Sequence, residues 1–378
     1  MCQTTDASRS HLQSLLGMPR SSYAFARSLL LAAACGCRPN QRLRSLAPTD
    51  RVDVRLVSDE AEEITHLLGE RGRGQAPADS DWQHLFATQG YRHLAERERG
   101  MRRAFTDSAF RAFVMSDTLL ARAPELDRTL ARLEHVDVRA AATQALAYLP
   151  ANAAIRAHLY LEIKPATNSF VFTGSDSVPS IFLYVRPHET PAQLQNTLSH
   201  ELHHIGLNAA CPDPAYPRAS QAERPLLLFL GAFGEGEAML AAAGSPNVNP
   251  HLADDDSIQQ RWNRDVSHAD ADIAELSRFF RDVLDGRITS RDSVITRASS
   301  YYGVQGPWYT VGWLMASTVE RKLGRAELIR DLCNPVQLLV DYNGVAMREK
   351  SIALPAWDTS LLDRLVALRA RAVSADQY

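Results

Sequence analysis

Ser199-His200-Glu201-Leu202-His203-His204-Ile205 holds an H-E-x-x-H pattern whose chemistry depends on a helix. At 3.6 residues per turn His200 and His204 fall on one face, so both imidazoles can reach one metal ion. Glu201 is rotated away from them, where its carboxylate can touch water at the metal without ligating it. The flanking residues predict the helix. Thr190 suits the N-cap, Pro191 the first helical position, and Gln193 completes a capping box with Thr190. Leu194, Leu198, Leu202 and Ile205 make an apolar stripe, so that side is expected to be buried. Gly206 or Asn208 can end the helix.

Catalytic zinc takes three protein ligands and keeps a further position for water. The stretch Pro225–Leu240 is an almost wholly apolar helix that carries Glu235 and Glu237 in its middle. Buried carboxylates are costly unless paired or metal-bound, which makes Glu235 the expected third ligand. Glu237 is the alternative, or a supporting partner. Glycines at 231, 234 and 236 weaken this helix but permit close approach to a neighbouring one.

His200-Glu201-x-x-His204 followed by Glu235-Gly236-Glu237-Ala238 resembles the gluzincin pattern, in which a glutamate on a second helix joins the H-E-x-x-H pair. The E-G-x-A form is similar to bacterial groups catalogued as zinc-dependent peptidases of unknown function. Tyr309-x-x-Gly312-x-x-Met315-Ala316, then Leu323-Gly324 and Asp341-Tyr342-Asn343, resemble further pieces of those groups, as does Trp82–Arg97 upstream. The likeness runs from about residue 80 to 345. It implies one zinc ion held by His200, His204 and Glu235, with Glu201 as general base. It also implies a tyrosine donor to the oxyanion, Tyr309 first and Tyr302 second. The well-known gluzincins place an aspartate four residues after the glutamate to orient a histidine. Met239 stands there, so the histidine's partner must come from elsewhere.

With 378 residues, 45% of them hydrophobic, the chain can bury a substantial core. A net charge of -3 without a basic patch excludes a general nucleic-acid footprint. Residues 1–40 read as a targeting segment: Arg20 and Arg27 precede Leu29–Ala34, then Cys35-Gly36-Cys37. This resembles a signal peptide of lipoprotein type and implies an exported protein, periplasmic or lipid-anchored to the cell envelope. No other segment is expected to reach membrane-spanning length. Cys211 and Cys333 can pair, though free buried thiols are the expected state, and no cysteine spacing marks a metal cluster.

The remaining chain divides into a helical lobe at 41–150, a catalytic core at 151–345 and a helical tail at 346–378. Helices are expected over 58–68, 81–99, 102–120 and 124–149, with His66, His84, His93 and His135 on the surface. Strand character is read only at 157–163, 169–173 and 181–185, a small sheet just before the metal helix. The gluzincin arrangement implies an exposed edge strand there that pairs with an extended peptide. A Pro-rich loop at 208–224 can line a cleft, and Asp254–Asp256 are expected to cap a helix running to about Leu284 rather than to bind calcium. The fold class is mainly α with a small β-sheet (α+β), a zincin-like core beside a helical lobe. The function that follows is zinc-dependent hydrolysis of peptide bonds by a monomer acting on a peptide or protein substrate. The alternative is a cell-surface binding or scaffold protein that keeps a non-catalytic zinc site.

Overall fold

The computed structural model describes residues 44–49, 51–101, 103–174, 178–211, 215–349 and 354–373. The expected targeting segment, with Cys2, Cys35 and Cys37, lies outside them. So do parts of the loops expected after Gly174 and within 208–224.

Mainly α with a small sheet is what the chain forms. The sheet has five strands in the order β1-β2-β3-β5-β4: β1 (Arg44–Thr49), β2 (Val52–Val57), β3 (Ile155–Glu162), β4 (Phe170–Thr173) and β5 (Pro179–Tyr184). β2, β3 and β5 run parallel, while β1 and β4 are antiparallel edges. The expectation of strands only after residue 157 is therefore corrected. β2 alternates Val52, Val54 and Leu56 inward with Asp53 and Arg55 less buried, the period-two pattern of a half-buried strand.

Between β2 and β3 stand six helices: α1 (Asp59–Gly72), α2 (Asp79–Ala87), α3 (Gln89–Gly100), α4 (Asp107–Val114), α5 (Asp117–Leu133) and α6 (Val138–Leu146). Three of the helices read from sequence break where the side chains of Thr88, Ser116 and Asp137 cap a new start. His66, His84 and His135 are exposed, whereas His93 is half-buried with its ring 5.4 Å from that of Tyr160.

After the sheet comes α7 (Pro191–Ala210), opened by the Thr190–Gln193 capping box; it runs through Gly206 and Asn208. Then follow α8 (Glu223–Leu230), a 3-10 turn (Gly231–Phe233) and α9 (Gly234–Ala243). Residues Glu223–Ala243 are, against expectation, long and apolar enough to span a membrane, yet 89% of their most apolar window is buried inside the protein. They are core. The region expected as one helix to Leu284 is two, α10 (Asp256–Ser267) and α11 (Ala269–Leu284), meeting at His268. The chain closes with α12 (Arg291–Ser299), α13 (Pro307–Leu323), α14 (Arg325–Asp331), α15 (Pro335–Arg348) and α16 (Thr359–Ala372).

Two large apolar cores result, with a small third cluster of Leu149, Ala153, Leu207 and Leu332. One packs the sheet, α1–α6 and the Leu194, Leu198, Leu202 and Ile205 stripe of α7. The other gathers α8, α9 and α11–α16 around Trp308, Phe233 and Phe280. Cys211, at the end of α7, is disulfide-bonded to Cys333 between α14 and α15, not a free thiol as expected.

Candidate active site

α7 belongs to the first core and α9 to the second, and the site forms where they meet. α7 buries its Leu194, Leu198, Leu202 and Ile205 stripe and turns His200 and His204 toward α9, which is buried on every side and carries Glu235 into the contact. His200 Nε2 lies 3.0 Å from His204 Nε2, and Glu235 Oε2 lies 3.3 Å from the first and 3.2 Å from the second. Tetrahedral zinc with ligands near 2.0–2.1 Å holds its donors about 3.3 Å apart. The three atoms fit such an ion, two imidazoles and a carboxylate being an ordinary catalytic zinc set.

Burial opposes ionisation of Glu235, but the imidazoles of His204 and His200 hold its carboxyl well below the ordinary range. Burial likewise pulls His204 down, and the Glu235 carboxylate outweighs it and raises the imidazole. Glu201 is buried beside them, and desolvation lifts its carboxyl above the usual value despite the two histidines.

Glu237 stands two residues beyond Glu235 but outside the group of donors that converge. Burial, and then the charge of Asp331, push its carboxyl up to about 8. His203 is fully buried and is not among the residues that line the cleft. Met239 lines the cleft, and among the described residues nothing hydrogen-bonds the buried Nδ1 of His200.

His200, Glu201 and Tyr309 open into one cavity of about 240 Å³, with Asn168 and Ser169 from the approach to edge strand β4 on its wall. Tyr309 lies half-buried with its ring 6.5 Å from that of His200 and nearly parallel to it. Tyr302 is buried behind, its hydroxyl without a hydrogen-bond partner among the described residues; burial and the nearby Glu235 charge raise it far above its ordinary value. His158, on β3, is a structural histidine with Nδ1 3.5 Å from the Tyr160 hydroxyl.

Asp254 proves to be a cleft residue. It accepts hydrogen bonds from Gln193 Nε2 at 3.2 Å and pairs with His251 Nδ1 at 2.8 Å, leaving Asp255 as the N-cap of α10. Sequence reading passed over Gln193, Asn196 and Thr197 as cleft residues. Their spacing of seven, four and three before His200 puts them on its face of the helix, and that was the available signal.

Residues 82–351 match the model of the family described as "Putative zinc dependent peptidase (DUF5700)". The chain belongs to that family. No curated protein and no solved structure matches it. The match spans both metal-site helices as well as α13 and α15, so the family is defined across both cores of this peptidase-family chain.

Proposed function

We propose that the protein is a gluzincin-type zinc peptidase that hydrolyses amide bonds with His200, His204 and Glu235 as ligands and Glu201 as general base. The observation that carries this reading is the convergence, within 3.0–3.3 Å, of donors from helices anchored in separate cores. Bound zinc supplies a Lewis acid that polarises the scissile carbonyl and makes water a nucleophile near neutral pH. Glu201, in the cavity wall, takes a proton from the attacking water and delivers it to the leaving nitrogen as the C–N bond breaks. Tyr309 aims its ring across the same cavity and donates its hydroxyl to the oxyanion. Edge strand β4 offers backbone groups to an extended peptide.

Export is part of the proposal. A disulfide between Cys211 and Cys333 persists in an oxidising compartment and supports reading residues 1–40 as a targeting segment.

Elemental analysis of the purified chain beside Glu235→Ala tests the site. One zinc per chain, lost or much weakened in the variant, is the expected result. Zinc retained unchanged by Glu235→Ala would move the third ligand elsewhere, and no zinc in either protein after supplementation would end the hydrolase reading.

A further inference from the structure

The cavity extends well away from the three converging donors. Gln193, Asn196 and Thr197 share the His200 face of α7 and line the same space, which therefore follows the N-terminal half of that helix. Seven residues of helical rise put its far end roughly 10 Å from His200. Arg186, between β5 and α7, stands at this end, near enough to act on the Asp254 that Gln193 holds, and Arg261 of α10 lines the same cavity.

Most polar groups at this end are already engaged. Gln193 and His251 hold Asp254, Gln305 Nε2 meets His251 Nε2 at 2.8 Å, and Asn196 donates to the Pro250 carbonyl at 2.8 Å. The two guanidiniums are different. Among the described residues neither side chain of Arg186 or Arg261 has a hydrogen bond or an ion pair. Arg186 is half-buried and Arg261 is exposed at the rim. Arg186 acts across space on Asp254 and Glu189 without reaching either as an ion pair. Asp254 is committed to His251, and Glu189 is a weak counter-charge because burial pushes its carboxyl up to about 7. A guanidinium carries five donors and no acceptor in a planar fork that matches a carboxylate, and a half-buried one gains most from such a partner.

Resting on the peptidase reading of the metal site, we propose that Arg186, assisted by Arg261, binds a carboxylate of the substrate about three residues from the scissile bond. The distance follows from an extended peptide advancing roughly 3.3 Å per residue along the 10 Å from His200. The carboxylate is either an acidic side chain or the free C-terminus of the peptide. Arg186 is then a specificity-determining residue for the cleft.

Two degenerate octapeptide libraries test this, one amidated and one with a free C-terminus, each passed over the immobilised full chain carrying Glu201→Gln. Peptides retained from the amidated library are expected to be enriched at least fivefold in Asp or Glu if the side chain is the ligand. Preferential retention of the free-carboxylate library identifies the C-terminus instead. Either preference should vanish with Arg186→Met, return in part with Arg186→Lys, and weaken at high salt. Equal retention of acidic and neutral peptides, or a preference untouched by Arg186→Met and Arg261→Met, overturns the proposal. Should Arg186→Met not fold, the library preference of the parent chain and of Arg261→Met decides. The zinc-loaded wild type is given the same libraries for cleavage. Carboxylate-selective retention with no cleavage would remove the peptidase reading and leave the subsite standing, whereas cleavage without acidic preference would do the reverse.

Discussion

His200 and Glu201 are adjacent in sequence yet leave α7 about 100° apart, and the proposed division of labour, His200 as ligand and Glu201 as base, rests on that angle. Glu201→Gln keeps the shape and the hydrogen-bonding reach of the side chain but cannot take a proton. Turnover of a cleaved peptide should fall by about 10²–10⁴, with zinc content unchanged by elemental analysis. Loss of the metal along with activity would instead make Glu201 a ligand. Asp331 tests a different property of the buried carboxyls. Burial and the neighbouring Asp341, which shares a hydrogen bond with it, raise Asp331 to about 7. A carboxyl raised on folding keeps its proton in the native state while the unfolded chain releases it. Its contribution therefore favours folding most at low pH and declines as pH rises from about 4 to 7. Asp331→Asn cannot ionise, so its melting temperature relative to wild type should climb between pH 5 and pH 8. A difference that stays flat or falls would show that Asp331 ionises normally in the fold.

At the scale of elements, the site depends on how closely α9 can approach α13. A Cβ built on Gly236 would stand 2.0 Å from the Trp313 backbone nitrogen, and one on Gly312 would stand 2.5 Å from the Phe233 carbonyl. Both contacts are backbone and cannot yield without moving a helix. Gly236→Ala should cost about 1–3 kcal/mol or more by overpacking, and should weaken zinc binding because Glu235 is the next residue on the displaced helix. Gly231→Ala, where a Cβ meets nothing within 4 Å, is the control and should leave both melting temperature and zinc affinity near wild type. Equal behaviour of the two variants would mean that the helix contact does not position Glu235. This part of the fold was legible: glycines around a pair of buried glutamates signal close approach, and the H-E-x-x-H stripe fixes which face of α7 is buried. β2 was not read, although Val52-Asp53-Val54-Arg55-Leu56 alternates. Its parallel partner Ile155–Tyr160 lies a hundred residues on, and no local turn announces that pairing. Arg186 and Arg261 carried no signal either, because a cleft-facing arginine and a solvated one look alike until the walls around them are assembled.

The whole molecule holds its histidines on one core and its glutamate on the other, so the distance between the cores sets the distance between the donors. Cys211–Cys333 is the covalent tie between these halves: it fixes the end of α7 to the turn joining α14 and α15 and closes a loop of 122 residues. Loop-closure entropy gives such a crosslink about 5 kcal/mol as an upper figure, and removal from secreted domains commonly costs about 2–5 kcal/mol. Its effect should exceed simple stability, because a change in how α7 sits on α9 moves His200 and His204 relative to Glu235. Each ligand then samples geometries outside the tetrahedral range. The double variant Cys211→Ala/Cys333→Ala is expected to melt several degrees lower and to release zinc faster to a chelator at temperatures where it is still folded. Circular dichroism gives the first quantity and a colorimetric zinc indicator the second. A variant that melts lower but holds zinc as tightly as wild type would mean that α7–α9 packing alone sets the donor geometry, with the disulfide acting only on the unfolded chain.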